Sequence, residues 1–295
     1  MKCYGERVKF VLTGKTALVT GASVGIGRGL AKALAARGVT VAIAARRVAA
    51  LDELAAEVSG AGHPRPVVLE ADLSKRGVAA VLAARAVKSL GQVDILVNNA
   101  GASAVGSQFG AGDNDDMREL FELNYWSPLA LIQALVPAMR QRRDGAVVNV
   151  TSLSGVAPWV FTGHYSSTKA ALSLASQTLR LELNGSRVHV MELMAGPIET
   201  AMLAKARDIV PGARDAIGRG PRGTVEQLSA RTIRALERRR KVLVYPRTLG
   251  FTPFFPIPAR WLTSLLQRKL DGDPSRLAES SVSAQGGRPA NSGRS

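Results

Sequence analysis

The residues best suited to chemistry in this chain are a tyrosine and a lysine, Tyr165 and Lys169, in the segment YSSTK. In a helix, a separation of four residues places both side chains on one face. A phenol has a pKa of about 10, too high for a base at neutral pH, but a neighbouring ammonium favours the phenolate and lowers that pKa. The spacing therefore predicts a proton-exchanging pair in which Lys169 activates Tyr165 as a general acid–base.

A tyrosine and a lysine at this spacing are also common in structural helices, and Ser152 is the residue that favours a catalytic interpretation. It precedes Tyr165 by thirteen residues and follows the apolar run Ala146–Val150. Such a run is typical of a strand covered on both faces, and ligands bind at the carboxyl edge of sheets built from such strands. Hydroxyls from Ser152 and Tyr165 could together surround a developing alkoxide.

The side chains of Ser152, Tyr165 and Lys169 must be positioned by the elements of the first 200 residues. In that part of the chain, short apolar segments alternate with helical patterns. Strands are predicted at Ala17–Thr20, Thr40–Ala44, Val67–Glu70, Ile95–Asn98, Ala146–Val150 and Val188–Leu193. Helices are predicted between them, including a long one from Asp115 to Arg140 and one through Tyr165–Leu183. This alternation predicts the α/β class: a doubly wound parallel sheet, or Rossmann fold, in a single domain.

Composition divides the chain into four parts. Residues 1–14 form an N-terminal lead, and residues 15–245 form a dinucleotide-binding catalytic domain that ends with a helix at Val225–Arg239 and a strand at Val242–Tyr245. Residues 246–272 are an apolar and basic extension with several prolines. Residues 273–295 are rich in Ser, Gly, Arg and Pro and are expected to be disordered.

A glycine-rich turn follows the first strand and opens a helix, with the sequence TGASVGIG at Thr20–Gly27. Glycines at 21, 25 and 27 allow the backbone to turn sharply and to approach a pyrophosphate closely. The free N–H groups and partial positive charge of the helix N-terminus then favour phosphate.

This turn and five later motifs, in order, resemble the short-chain dehydrogenase/reductase family over residues 15–245. The later motifs are NNAG at Asn98–Gly101, Asn124, Ser152, the pair Tyr165 and Lys169, and GPIET at Gly196–Thr200, where Ala195 replaces the usual proline. The resemblance implies that Ser152 binds the substrate oxygen, Tyr165 exchanges its proton, Lys169 holds the nicotinamide ribose and Asn124 fixes a water. The expected cofactor-binding residues are Gly21, Ser23, Gly25, Ile26, Gly27, Arg46, Arg47, Asp72, Leu73, Asn98, Ala100, Gly101, Tyr165, Lys169, Pro197, Ile198 and Thr200.

The end of the second strand indicates which nicotinamide cofactor to expect. NAD-binding proteins of this fold place an acid there to hold the ribose 2′-hydroxyl. This chain instead has Arg46 and Arg47. Two guanidiniums suit a 2′-phosphate, so the cofactor is predicted to be NADP(H).

The net charge of +16 is concentrated in one part of the chain. Between Lys205 and Lys269, fifteen Lys and Arg face four acids, which accounts for +11. An anionic membrane or an acidic carrier protein would suit this segment, whereas nucleic acid is disfavoured because no recognition motif accompanies the charge. A basic proteome is an equally simple explanation.

Other sequence features limit the cellular compartment, the metal content and the oligomeric state that are expected. One cysteine, no secretory signal and no long apolar span favour a cytoplasmic protein, with peripheral membrane attachment as an alternative. The three histidines are scattered, so no metal site is expected. By analogy with the family, a dimer or tetramer is expected.

The substrate is predicted to be a hydrophobic carbonyl or alcohol, because apolar residues cluster after the fifth strand and after Thr200. Ser152, Trp159 and Met202 are its predicted contacts. The segment Leu249–Leu270 is interpreted as a lid over the substrate mouth, or alternatively as an interfacial anchor. Two other functions remain open: reduction of 3-oxoacyl groups on a carrier protein docked to the basic face, and non-catalytic NADP(H)-dependent regulation.

Overall fold

A computed structural model describes residues 9–204, 221–267 and 281–284 of the chain. The strands in these ranges are β1 Thr16–Thr20, β2 Thr40–Ala45, β3 Val67–Glu70, β4 Ile95–Asn98, β5 Ala102–Val105, β6 Gly145–Ser152, β7 Val188–Ala195, β8 Val242–Tyr245 and β9 Ser281–Ala284. The α-helices with bounds inside these ranges are α1 Gly25–Ala35, α2 Val48–Gly60, α3 Val78–Leu90, α4 Gln108–Ala111, α5 Asp115–Phe121, α6 Ser127–Arg142, α7 Gly163–Glu182, α8 Val225–Glu237 and α9 Pro256–Gln267.

Seven strands form one parallel sheet in the order β3-β2-β1-β4-β6-β7-β8. Helices cover both of its faces, which confirms the predicted doubly wound α/β fold and the single domain. The strands lack polar alternation because each one contributes to two cores. In β6, for example, Val148 packs with α1, α2 and α8, whereas Val147 packs with α3 and α6 on the other face.

The strand order reverses between β1 and β4, which are neighbours in the sheet. In such a sheet, the loops that leave the carboxyl ends of these two strands diverge and open a crevice for a ligand. The glycine turn leaves β1 at this edge, the NNAG segment leaves β4, and Ser152 ends β6. The topology therefore brings all three motifs to one edge of the sheet.

The long helix predicted from Asp115 to Arg140 is interrupted. A π-helical turn at Glu122–Trp126 separates α5 from α6. Such a turn inserts an extra residue into the helical hydrogen-bond pattern and is frequent at functional sites. Asn124 lies in its middle and is fully buried, so the turn directs a polar side chain inward.

The described part of the N-terminal lead belongs to the domain core. Phe10 and Leu12 are buried in the core layer beneath α1 and α8, and the Phe10 amide donates a hydrogen bond to the carbonyl of Glu237 at 2.8 Å. The boundary predicted at residue 15 therefore does not separate the lead from the core.

One strand was not expected at the C-terminal end. Within the tail at 273–295, which was predicted to be disordered, β9 at Ser281–Ala284 pairs antiparallel with β5. Backbone groups alone can form such a ladder, so the scarcity of apolar residues does not prevent it. The rest of this tail lies outside the described residues.

Over the described ranges, no helix has the length and apolar character needed to cross a bilayer.

Candidate active site

Thr20, the last residue of β1, ties the glycine turn to the segment after β4. Its hydroxyl accepts hydrogen bonds from the amides of Asn99 and Ala100, both at 3.0 Å, and donates to the carbonyl of Val97 at 3.1 Å. In return, the Asn99 side chain donates to the carbonyls of Thr20 at 2.9 Å and Gly21 at 3.1 Å. The two loops of the crevice are thus held as one unit.

The glycines of the turn are required by this close approach. A Cβ on Gly27 would lie 2.3 Å from the Asn99 Nδ2 and 2.4 Å from the carbonyl oxygen of Gly21. Gly21 and Gly25 also have φ values of 64° and 58°, in the left-handed region that favours glycine. The first turn of α1 has neither a side-chain cap nor an acid. Its free amides therefore fit the phosphates of a dinucleotide.

A cleft beside this turn gathers many of the residues predicted to bind the cofactor. Predicted residues in its wall are Gly21, Arg46, Asp72, Leu73, Ala100 and Gly101, and the other wall residues are Ala44, Ala45, Ala71 and Leu123. All of them except Leu123, which lies on the π turn, come from the ends of four neighbouring strands that the sheet brings together.

Arg47 reaches the glycine turn from the end of β2. Its Nη2 lies 3.4 Å from the hydroxyl oxygen of Ser23, which is buried within the turn. Ile26, another predicted contact, packs mainly into the core beneath α1. Arg46 and Arg47 thus border the end of the cleft where a ribose 2′-substituent would lie.

Asn98 cannot contribute a side chain to the cleft as the motif suggested. It is 2% exposed, and its Nδ2 donates to the Asn149 Oδ1 at 2.9 Å, within the sheet. Only the backbone of Asn98 could contact a cofactor. The neighbouring Asn99 instead organises the turn, because alternate residues at a strand end face opposite sides.

The segment after β7 closes the other side of the glycine turn. A Cβ on Gly25 would lie 3.4 Å from the Thr200 Cγ2. Pro197 and Ile198 are held by backbone pairing with Gly223, whose amide donates to the Pro197 carbonyl at 3.0 Å. The predicted residues Pro197, Ile198 and Thr200 therefore lie in one segment that borders the turn.

The predicted catalytic side chains converge at the carboxyl end of β6. The Lys169 Nζ lies 5.9 Å from the centre of the Tyr165 ring and donates to the carbonyl of Val150 at 3.1 Å. The Ser152 side chain lies near enough to the Tyr165 hydroxyl to lower the pKa of that phenol. The Ser152 oxygen also accepts hydrogen bonds from the amide and the hydroxyl of Ser154, at 3.2 and 2.9 Å. A serine and a tyrosine hydroxyl thus face a common point beside a buried lysine.

Asn124 fastens the π turn to this group. Its Oδ1 accepts from the amide of Ala102, and its Nδ2 donates to the carbonyl of Ala102 and to the Thr168 hydroxyl, each at 3.0 Å. Both hydrogens of the side-chain amide are therefore used within the protein. A Cβ on Gly101 would lie 3.1 Å from the Asn124 Oδ1 and 3.3 Å from the Lys169 Nζ, so Asn124 and Lys169 border the same small space.

The direction of the Tyr165 pKa shift differs from the one predicted for its pairing with Lys169. Burial raises the pKa of Tyr165, and the nearby Ser152 side chain opposes that rise only in part. Burial also lowers the pKa of Lys169, to about 8. Burial therefore outweighs the lowering of the Tyr165 pKa that was expected from Lys169, because removal of both groups from water favours their neutral forms.

Trp159 and Met202, two of the predicted substrate contacts, lie on a loop and on a helical stretch, respectively. Trp159 belongs to the loop after β6 and is partly buried, and its carbonyl accepts hydrogen bonds from the amide and the hydroxyl of Thr162. Met202 is partly buried in the segment that follows Thr200. Residues 205–220, which continue that segment, lie outside the described ranges.

Several residues that organise the site were not singled out from the sequence. They are Thr20, Asn99, Thr168 and Gly155, where a Cβ would lie 2.8 Å from the amide nitrogen of Ala170 on α7. Thr20 lies in the glycine turn and Asn99 in the NNAG motif, so their positions in these motifs could have identified them. Gly155 carried no such signal, because the requirement arises only when the loop after β6 packs on α7. In the described ranges, no three His, Cys, Asp or Glu side chains are grouped to hold a metal.

Comparison with known proteins places this geometry in context. A family model described as short chain dehydrogenase matches residues 15–210. A short chain dehydrogenase of Pseudocercospora fijiensis is 36% identical over 198 residues, which cover 67% of this chain and 64% of that protein. The chain thus spans less than two thirds of that relative's length.

Other relatives match over more of the chain. A fatty acyl-CoA reductase of Mycobacterium tuberculosis is 33% identical over 88% of this chain and 85% of its own. An 11-beta-hydroxysteroid dehydrogenase A of Sesamum indicum is 30% identical over 90% and 79%. Among solved structures, a Sphingobium yanoikuyae short-chain dehydrogenase in complex with NADPH has a TM-score of 0.72 and 29% identity, over 88% of this chain and 99% of that one. A Burkholderia phymatum structure in complex with NAD has a TM-score of 0.74 and 24% identity, over 89% and 98%.

Proposed function

The chain belongs to the short-chain dehydrogenase/reductase family, and on that basis we propose that it is an NADP(H)-dependent oxidoreductase that interconverts a secondary alcohol and a ketone. The observation that carries the proposal is the convergence of Ser152, Tyr165 and Lys169, with the Lys169 Nζ 5.9 Å from the centre of the Tyr165 ring.

In the direction of reduction, a bound nicotinamide would supply the hydride, and side chains of the protein would transfer the proton. The Ser152 hydroxyl donates a hydrogen bond to the carbonyl oxygen and stabilises the charge that develops there. The Tyr165 hydroxyl donates its proton to that oxygen. The raised pKa of Tyr165 keeps its hydroxyl protonated before the reaction, and the charged Lys169 stabilises the phenolate that remains.

The proton lost by Tyr165 is then restored by way of Lys169. The pKa of Lys169, lowered to about 8 by burial, brings this amine close to the ambient pH. An amine with such a pKa can both release and recover a proton during turnover. Asn124 completes the arrangement, because its three hydrogen bonds hold the π turn beside Lys169.

The direct test is Tyr165→Phe, compared with Tyr125→Phe as the same chemical change at the π turn. A screen of ketones with NADPH and of alcohols with NADP⁺ provides the substrate. We expect Tyr165→Phe to lose about 10²- to 10⁴-fold in kcat while cofactor affinity is retained, and Tyr125→Phe to remain active. Unchanged turnover in Tyr165→Phe would refute the proposed mechanism.

The preference for NADP(H) is proposed from Arg46 and Arg47. Arg46 lines the cleft, Arg47 contacts Ser23, and β2 ends in Ala44 and Ala45 with no acid. A charge-assisted hydrogen bond contributes about 1.5–3 kcal/mol, so Arg47→Glu should lower kcat/KM for NADPH about 10- to 100-fold relative to NADH. Equal losses with both cofactors would contradict the assignment.

We propose a hydrophobic substrate for two reasons. Two of its predicted contacts, Trp159 and Met202, are apolar, and the names of two relatives refer to a fatty acyl-CoA and a hydroxysteroid. The extension also contributes: the Arg260 Nε donates to the carbonyl of Val156 at 2.9 Å, and the Gln267 Nε2 donates to that of Pro158 at 3.2 Å. Helix α9 is thus attached to the loop that carries Trp159, which supports its interpretation as a lid.

Exposed apolar side chains on and just before α9 support the alternative of peripheral membrane contact. Ile257 and Trp261 on the helix are 77% and 66% exposed, although large apolar side chains on a helix usually face the core, and Phe254 before the helix is 73% exposed. Residues 238–270 contain eight Lys and Arg and no acid. An apolar face flanked by cations suits an anionic bilayer surface.

Vesicle flotation tests this contact with the full chain. The double variant Ile257→Ser and Trp261→Ser should lose binding to phosphatidylglycerol vesicles, whereas Leu181→Ser, which changes an equally exposed residue of α7, should bind as the unmodified protein does. If all three proteins fail to float, or all float alike, α9 is not a membrane-binding element.

The carrier-protein alternative receives less support from the fold. Arg238–Lys241 directly precede β8, so they lie at the amino edge of the sheet, whereas Ser152 lies at the carboxyl edge. This densest part of the basic segment cannot guide a carrier to the catalytic group. The regulator alternative is disfavoured because Asn124, Ser152, Tyr165 and Lys169 are all present.

A further inference from the structure

The helix that carries Tyr165 and Lys169 rests on the sheet through polar side chains. The buried residues of α7 are Ser166, Thr168, Lys169, Leu172, Ser173 and Ser176, of which only Leu172 is apolar. Buried hydrogen-bonded side chains rigidify the contact between two elements and specify one arrangement of them. The position of the catalytic pair therefore depends on the groups that these side chains meet.

Glu192, in the middle of β7, lies at the centre of this interface. It is fully buried, its Oε1 accepts a hydrogen bond from the Thr151 hydroxyl at 2.9 Å, and the nearby Ser173 hydroxyl opposes the rise that burial causes in the pKa of the carboxyl. Its Oε2 lies 3.9 Å from the Arg180 Nη2, beyond hydrogen-bonding distance, and has no hydrogen-bond partner within the described structure. Burial of a carboxyl group with an unsatisfied oxygen destabilises a fold. A residue that carries this cost is expected to serve another requirement.

The two partners of Glu192 connect directly to the catalytic group. Thr151 stands between Val150, whose carbonyl accepts the Lys169 hydrogen bond, and Ser152. Ser173 follows Lys169 by four residues, one turn along the buried face of α7. Glu192 therefore joins the strand that carries Ser152 to the helix that carries Lys169.

We propose that Glu192 is a positioning residue, which holds α7 in register on β6 so that Tyr165 and Lys169 meet Ser152. This role in turnover rests on the proposed function. A neutral carboxyl keeps a carbonyl oxygen that accepts from a hydroxyl, although more weakly than an ionised carboxylate does, so the role rests on hydrogen bonding and does not require the charge.

The test compares Glu192→Gln, Glu192→Leu and a control on the same strand, His189→Leu. Glutamine keeps the oxygen that accepts from Thr151, and its amide can donate to the Ser173 oxygen, whereas leucine removes both contacts. His189 is buried at the start of β7 and interacts with the carbonyl of Arg240. Its loss should lower stability without reaching the site.

We expect Glu192→Leu to lower kcat about 10- to 100-fold, since displacement of a reacting group by about 1 Å has effects of this size. The dissociation constant of NADPH should change much less than kcat, because the glycine turn, which is expected to bind the phosphates, is separate from α7. Glu192→Gln should restore kcat to within about threefold, and His189→Leu should lower only the melting temperature. If kcat per folded molecule is unchanged in Glu192→Leu, the proposal is overturned.

A measurement without substrate separates this proposal from the proposed function. The Tyr165 ring signal in a ¹³C-tyrosine NMR spectrum, assigned with Tyr165→Phe, should move in Glu192→Leu and return in Glu192→Gln. A shifted signal in a protein that reduces no ketone would support the positioning role and reject the oxidoreductase. An unshifted signal would reject the positioning role, whatever the activity. Should Glu192→Leu fail to fold, Thr151→Val removes one of the two contacts with little change in volume, and the same outcomes apply.

Discussion

Replacement of Lys169 by methionine should stabilise the protein at pH 7 while it abolishes turnover. Lys169 is 5% exposed, and burial lowers its pKa from 10.5 to about 8. Each pKa unit corresponds to about 1.4 kcal/mol, so the buried ammonium opposes folding by about 3 kcal/mol. Methionine removes this charge and keeps a similar length, but it also removes the hydrogen bond to the Val150 carbonyl, a loss of about 1–2 kcal/mol. A net gain of about 1–2 kcal/mol remains.

The pH dependence of this gain has a definite sign. Below pH 8 the lysine is protonated in both the folded and the unfolded protein, so the opposition to folding is fully present. Between pH 8 and 10.5 the folded protein releases the proton first, the unfolded protein binds more protons, and the stability of the unmodified protein rises with pH. That rise amounts to about 2 kcal/mol by pH 9.5. The advantage of Lys169→Met should therefore disappear at that pH.

Urea unfolding at pH 7 and pH 9.5 measures the stability gain of Lys169→Met and its dependence on pH. The control is Lys32→Met, which changes an exposed lysine that pairs with Glu57. An exposed ion pair contributes less than about 1 kcal/mol, so the control should be no more stable than the unmodified protein. The reasoning is refuted if Lys169→Met is less stable at pH 7, or if its advantage is the same at both pH values.

Three further predictions concern the framework of the site. Gly27→Ala should lower NADPH affinity at least about 10-fold in fluorescence titration, because its Cβ would lie 2.3 Å from the Asn99 Nδ2, whereas Gly60→Ala, where a Cβ meets nothing within 4 Å, should bind normally. Thr20→Val should lower the free energy of unfolding by about 2–3 kcal/mol in urea titration, because two buried amides lose their acceptor. Asn124→Leu should destabilise by about 2–4 kcal/mol in the same assay, since three hydrogen bonds to buried groups are lost. A loss below about 1 kcal/mol in either of the last two variants would show that these contacts are not maintained in solution.

Local patterns in the sequence were sufficient to predict the architecture and to propose the residues of the site. Apolar runs such as Ala146–Val150 indicate strands buried on both faces, and the alternation with helices then predicts a doubly wound parallel sheet. The glycine turn and the four-residue spacing of Tyr165 and Lys169 are likewise short-range signals. Family motifs supplied Ser152 and Asn124. All of these depend on residues within one element or one loop, which is why the sequence alone reveals them.

The tertiary structure decided what depends on residues far apart in the chain. The hydrogen bonds of Thr20 with the Asn99 segment, the burial of the Asn98 side chain and the pairing of β9 with β5 all join distant segments. The direction of the Tyr165 pKa shift belongs to the same class, because it follows from removal of the phenol from water by residues around it. A sequence places Lys169 beside Tyr165, but only the folded protein determines how much water and how many partners each of them keeps.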